Sequence, residues 1–172
     1  MKELRILFFG MLGAFSLPPL RALLAAGFPL VGVVIPGQDD AVAVRPLDPV
    51  TATSAGSGQA VSSGSAPTIS HLLLTPTQSN IVHLAWQQQI PVYEISHLTA
   101  PETRRTLAEL HPDVAVVACF NKRLPANLLT LPQHGFLNVH PSRLPHFRGP
   151  APPVLDIPGW RPGDRRHRSL HG

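Results

Sequence analysis

The 172-residue chain holds one cysteine, one tyrosine and two tryptophans, and only 14% of its residues are charged. One cysteine excludes an intrachain disulfide, and Cys119 lies inside an apolar run, so a reducing compartment, the cytoplasm, is expected. The body of the chain carries no Lys/Arg stripe interleaved with aromatics, which argues against a nucleic-acid-binding module there. The formal net charge of +4 is partly local. After Pro153, Arg161, Arg165, Arg166 and Arg168 stand against Asp156 and Asp164, which leaves +2 in that tail. Lys2 and Arg5 precede an apolar stretch through Leu17, as in a signal peptide, but Glu3, Gly10, Gly13 and the Pro18-Pro19 pair interrupt it. A buried first strand and helix account for the same residues, and no membrane association is expected. His134, His140 and His146 are evenly spaced but have no Cys or carboxylate neighbours, so no metal site is expected. Gly10 and Gly13 lack a third glycine in place, which fits a tight strand-to-helix turn better than a dinucleotide loop.

What is abundant divides the chain. It is 44% hydrophobic, yet it contains 20 Pro and 13 Gly, so one compact domain shares the sequence with loop-like segments. "LRILFFG" (4 to 10) is an apolar run of strand formers closed by glycine, as expected of a buried parallel strand. "FSLPPLRALLAAGF" places Leu20, Leu23 and Leu24 at helical spacing, with proline near the start and Gly27 just past the end. "PLVGVVIPG" (29 to 37) is a second buried strand, and the three elements make a right-handed βαβ unit. From 37 to 70 the sequence turns Ser/Gly/Ala/Thr-rich and is expected to be a flexible loop. Further on, the pattern predicts a helix over 77–89, a strand over 90–95 and a helix over 100–111 in which His111 complements the dipole. A core strand in "PDVAVVACF", one or two helical turns in "PANLLTLP" and a strand in "GFLNVHP" follow. The expected class is α/β, a Rossmann-like, doubly wound, mostly parallel sheet. In such sheets reactive groups gather at the carboxyl ends of strands. Here those ends are Gly10, Cys119-Phe120-Asn121 and Asn138 to His140.

Asn138 and His140 are two apart, so on a strand they face one side. An Asn amide can donate to an oxyanion developing on a carbonyl, and His can move a proton or stabilise that oxyanion as imidazolium. The pair alone is equally compatible with two side chains that satisfy backbone groups at a strand end.

The surrounding residues extend the pattern. "GFLNVHPSRLPHFRGPAP" (135 to 152) resembles the signature of the folate-dependent formyltransferase family, "N-x-H-x-S-L-L-P-x-x-R-G-x-x-P", with Arg143 departing from the usual Leu. "VVACFNKRLPANLLTLPQHG" is similar to that family's folate-pocket strand and loop, and "RILFFGMLGAFSLPPLRALLAAG" to its opening strand, loop and helix. The resemblance covers residues 4 to 35 and about 78 to 152. It implies a catalytic domain over 1–152, with Asn138 and His140 as two members of an Asn/His/Asp set. It further implies that Phe120, Asn121, Lys122, Arg123 and Leu124 line the pterin side of a 10-formyltetrahydrofolate pocket. Gly10 would let the first loop approach, and Ser142, Leu144 and Pro145 would belong to the loop beside the catalytic pair. The implied reaction is attack of a substrate amine on the formyl carbon, with the amine of initiator methionyl-tRNA foremost. A sugar or nucleotide-precursor amine, or a catalytically silent folate-binding module, are the alternatives. A monomer is expected.

The third member of the set, an Asp some thirty to forty residues past the Asn, has no match, because neither Asp156 nor Asp164 lies in the family's context. The expectation is a chain truncated at its C-terminus, with residues 153–172 an aberrant, disordered tail and activity lost. "PVLDIPGWRPGDRRHRSLHG" departs from the family pattern, but its codons shifted by one base permit that pattern. Trp160 forces Gly in the shifted frame, Leu155-Asp156 permits Trp, and Arg161-Pro162 permits Asp. A frameshift after about Pro152 is therefore expected, against the alternative of a natural basic, Pro-rich tail.

Overall fold

A computed structural model describes residues 4–38, 41–49 and 80–140, and the chain divides into two compact units, 1–139 and 140–172. Of the second unit, only His140 is described. The first unit begins with β1 (Ile6–Gly10), α1 (Leu17–Ala25), β2 (Leu30–Pro36) and β3 (Val44–Leu47). It continues through α2 (Ile81–Gln87), β4 (Val92–Ile95), α3 (Pro101–Glu109), β5 (Val114–Ala118), α4 (Ala126–Leu129) and β6 (Phe136–Val139). The six strands form one sheet in the order β3-β4-β2-β1-β5-β6. All pairs are parallel except β3 with β4, which is antiparallel.

Every residue of β1 is buried, because the central strand of a parallel sheet is covered on both faces and must be apolar throughout. Alternation along the strands sorts the side chains into two cores. Ile6, Phe8, Val33, Ile35, Val92 and Val116 pack with Leu20 of α1 and with Ile81, Val82 and Ala85 of α2. Leu7, Phe9, Val34, Ile95 and Ala115 pack on the opposite side with Leu107 of α3 and Leu128 of α4. Phe8 and Phe9 are wholly excluded from solvent; burial of each contributes about 1.5–3 kcal/mol. At the amino ends of β1 and β5, Asp113 Oδ2 accepts the Arg5 N–H at 2.9 Å and fixes the two central strands against each other.

Helix α1 stops where the sequence places Gly27. Its φ of +76° is open to glycine without steric cost. The Gly27 and Phe28 N–H groups donate back to the Leu24 and Leu23 carbonyls at 3.0 and 3.2 Å, closing the last turn. Helix α2 starts later than the periodicity predicts. Asn80 caps it by accepting from the Val82 and His83 N–H groups, both at 3.0 Å. Helix α3 ends at Glu109, and His111 lies beyond it with φ +47°, outside the last turn where the sequence reading placed its charge.

One expectation is corrected. Residues 37 to 70 are not a loop throughout, because Val44–Leu47 forms β3 along β4, with Arg45 opposite Glu94 and Leu47 opposite Val92. Pro46 is compatible with this position because β3 is an edge strand, where a missing N–H leaves no ladder bond broken. Arg45 donates through Nε to Glu94 Oε2 at 3.1 Å and forms a salt bridge to the same oxygen through Nη2. Residues 50–70 of the expected loop, and the 153–172 tail, lie outside the described residues.

Candidate active site

The strand order has a reversal between β1 and β5. After β1 the chain crosses through α1 to β2 on one side; after β5 it crosses through α4 to β6 on the other. The two loops therefore part at the carboxyl ends of adjacent strands, which opens a crevice where ligands bind in sheets of this kind. Gly10, Ala118 and Val139 lie in one row across β1, β5 and β6, and Phe9, Val117 and Asn138 lie in the row before it.

Gly10 ends β1 at the crevice. A Cβ there would stand 2.8 Å from Phe8 Cε1, 2.9 Å from Ile81 Cδ1 and 3.1 Å from Ser16 Cβ. The missing side chain is thus required by close packing of the strand end against α2 and the start of α1.

Cys119 follows β5 with φ +56°, a left-handed turn that lifts the chain out of the sheet and begins the segment Phe120 to Leu124. Burial raises the Cys119 thiol above its ordinary value, the opposite of an activated nucleophile. Phe120 packs edge-on against Phe9 with ring centroids 5.5 Å apart, and Phe136 packs on Phe9 at the same separation. Leu124 joins this side of the core. Asn121 and Arg123 are exposed, while half-buried Lys122 donates to the Ser96 carbonyl at 2.8 Å and ties the segment to the end of β4. Phe120 is thus half-buried against the sheet, with the exposed Asn121 and Arg123 beside it.

Asn138 is exposed near the end of β6, two strands from β1, on the face shared by Val117 and Phe9. Its amide is free to donate to a ligand at the sheet's carboxyl edge. His140 is the first residue after Val139 and begins the second unit. Ser142, Leu144 and Pro145 lie outside the described residues. Among the predicted residues, the first unit brings Gly10, Phe120 to Leu124 and Asn138 to one end of the sheet.

Ser16 was not singled out by sequence. It is fully buried, its Oγ accepts the Met11 N–H at 2.9 Å and donates to the Ala118 carbonyl at 2.7 Å, and so it spans the two loops of the crevice. The signal available was Ser16-Leu17-Pro18-Pro19, a capping residue followed by two prolines.

A family model described as formyl transferase matches residues 51–163. The chain is 36% identical to the methionyl-tRNA formyltransferase of Dehalococcoides mccartyi strain 195 over 159 residues, 92% of this chain and 41% of that protein. It is 36% identical to the Methylococcus capsulatus methionyl-tRNA formyltransferase over 149 residues, 87% of this chain and 39% of that protein. It is 44% identical to the Idiomarina loihiensis methionyl-tRNA formyltransferase over 77 residues, 45% of this chain and 24% of that protein. The chain belongs to the formyl transferase family. Its mostly parallel six-stranded α/β sheet is consistent with the Rossmann-like formyltransferase fold. It spans about two fifths of the length of the relatives from D. mccartyi and M. capsulatus. Among the described residues no group of three or more His, Cys, Asp or Glu could hold a metal ion, and no helix is long and apolar enough to cross a membrane.

Proposed function

We propose that the crevice at the carboxyl ends of β1, β5 and β6 takes 10-formyltetrahydrofolate and that its formyl group passes to the amine of initiator methionyl-tRNA. The observation that carries this is membership of the formyl transferase family in a chain whose exposed Asn138 stands at the carboxyl edge of the sheet. Phe120 and Leu124 would flank the pterin, with Asn121, Lys122 and Arg123 at its polar edges. The substrate amine attacks the formyl carbon and a tetrahedral oxyanion forms. The Asn138 amide donates to that oxyanion, and His140 takes the proton lost by the amine. The bond from carbon to the folate nitrogen then breaks, and tetrahydrofolate leaves with a proton. Support for His140 is its place in the Asn-x-His signature, and Ser142, Leu144 and Pro145 are assigned to the neighbouring loop on the same ground.

A second reading of the substrate has one specific support. Arg45 is the sole Lys or Arg between residues 37 and 70, and it is engaged with Glu94. That segment therefore offers a tRNA backbone no uncommitted positive charge, which favours a sugar or nucleotide-precursor amine. The discriminating experiment uses a chain extended in the reading frame that continues the family pattern, supplied with 10-formyltetrahydrofolate and each class of amine. Formylation of methionyl-tRNA is the expected result. Transfer only to a small amine would replace that substrate, and failure to bind tetrahydrofolate would end the proposal.

A further inference from the structure

We infer that Ser16 is a positioning residue for the crevice, released for that task by the two prolines that follow it. Ser16 is the N-cap of α1, where a serine hydroxyl ordinarily accepts a hydrogen bond from the N–H of the second or third helical residue. Those residues are Pro18 and Pro19, which have no N–H, and Ser16 makes no capping bond. The hydroxyl turns to the sheet instead. One lone pair takes the Met11 N–H at 2.9 Å, and its hydrogen goes to the Ala118 carbonyl at 2.7 Å, 102 residues away in sequence.

The two partners start the two loops that part at the crevice. Met11 is the first residue after β1, and Ala118 is the last of β5, whose carbonyl belongs to the peptide leading into the left-handed Cys119 turn. A single buried oxygen therefore sets the offset between the β1 loop and the segment carrying Phe120 and Asn121. The missing Cβ of Gly10 leaves the room in which Ser16 stands. Because the hydroxyl is buried, water does not compete for either bond.

The effect on ligand binding rests on the folate reading of the crevice, whereas the effect on the loops does not, and the test separates them. Amide exchange and tetrahydrofolate titration calorimetry are measured on the 172-residue chain and on three variants. Ser16→Ala is expected to speed exchange at least tenfold both at Met11 and across residues 119–121, and to weaken tetrahydrofolate binding at least tenfold. Pro18→Ala with Pro19→Ala returns two capping donors, draws the hydroxyl back to the helix, and is expected to speed exchange at 119–121 with Ser16 intact. Val114→Ala, at the amino end of β5, is expected to lower the melting temperature while leaving both the 119–121 exchange pattern and binding as they are. Faster exchange confined to Met11, unchanged protection at 119–121 in the proline variant, or equal loss of binding in Val114→Ala and Ser16→Ala overturns the inference. If neither the parent chain nor the chain extended in the family's reading frame binds tetrahydrofolate, the folate reading falls and the exchange pattern alone decides the role of Ser16.

Discussion

Gly10→Ala puts a methyl group into a crowded point beside the crevice, and the cost follows from what surrounds it. The added carbon would lie 2.8 Å from Phe8 Cε1, 2.9 Å from Ile81 Cδ1 and 3.1 Å from Ser16 Cβ, all inside ordinary carbon-carbon contact. Phe8, Ile81 and Ser16 are each fully buried, so none of them can swing out to solvent to make room. Overpacking of this kind costs about 1–3 kcal/mol. Shortening one neighbour should recover part of it. Ile81→Val removes Cδ1 and by itself costs about 0.5–1.5 kcal/mol, but in the Gly10→Ala background the vacated space accepts the new methyl. The double variant is therefore expected to be more stable than the sum of the single effects by about 1 kcal/mol, within the range for residues in direct contact. The recovery is partial because Phe8 and Ser16 still press on position 10. Urea unfolding of the four proteins at 25 °C measures the cycle. Stability of Gly10→Ala within about 0.5 kcal/mol of the parent, the range of an unconstrained surface change, would refute the packing argument, as would additivity within about 0.3 kcal/mol.

Other substitutions reach different parts of the reasoning. Asn138→Ala in a catalytically competent extended chain is expected to lower formyl transfer about 100- to 1,000-fold, the loss typical of an oxyanion donor, with folding unchanged because the side chain is exposed; steady-state kinetics with unfolding curves check both. Arg45→Ala leaves the buried Glu94 carboxylate without its partner, so a loss of about 1–3 kcal/mol should appear in urea unfolding, with faster amide exchange in β3. Burial raises the Cys119 thiol, and burial followed by Glu109 and Asp48 raises the Tyr93 hydroxyl, from ordinary values of 9.0 and 10.0. Both groups are held neutral in the fold, so their contribution is complete below those values and is lost as pH rises through the higher folded ones. Unfolding curves across alkaline pH should show that decline, and Cys119→Ser should flatten its earlier part. Sequencing the gene across the Pro152 codon is expected to show a one-base insertion or deletion relative to the frame that continues the family pattern; an unbroken frame there would establish the tail as natural.

The parts of the fold that could be read from sequence are those whose physical cause is local. Strands β1, β2 and β5 are unbroken apolar runs because they are buried on both faces, and α1 ends at Gly27 because that position needs a positive φ. Strand β3 was hidden because its cause is not local. Val44-Arg45-Pro46-Leu47 contains a charge and a proline, and it becomes a strand only beside β4, where Glu94 meets Arg45 and the edge tolerates Pro46. Asn80 was absorbed into a longer predicted helix, since apolar spacing does not reveal where a side chain will cap. At the carboxyl end of the sheet, the places of Asn138 and the 120–124 segment at strand ends were legible from the apolar runs that precede them. Ser16 was not, because its partners at positions 11 and 118 become neighbours only once the sheet exists.

That difference explains why the crevice needs a device like Ser16 at all. The groups that would face a ligand come from the ends of three strands, and β1 and β5 are joined in the chain only through more than a hundred residues. Ladder bonds fix the strands themselves, but they stop at Gly10 and Ala118, and the loops beyond diverge to opposite sides. Phe120 on Phe9 holds one loop to the sheet through apolar contact, which resists separation but permits sliding. A hydrogen bond from a buried hydroxyl is directional, and Ser16 makes two at a right place for both loops. Reactions that depend on positioning lose about 100-fold for a displacement near 1 Å. The sequence Ser-Leu-Pro-Pro therefore gives up a helix cap, worth about 1 kcal/mol, in exchange for fixed geometry where the two halves of the sheet meet.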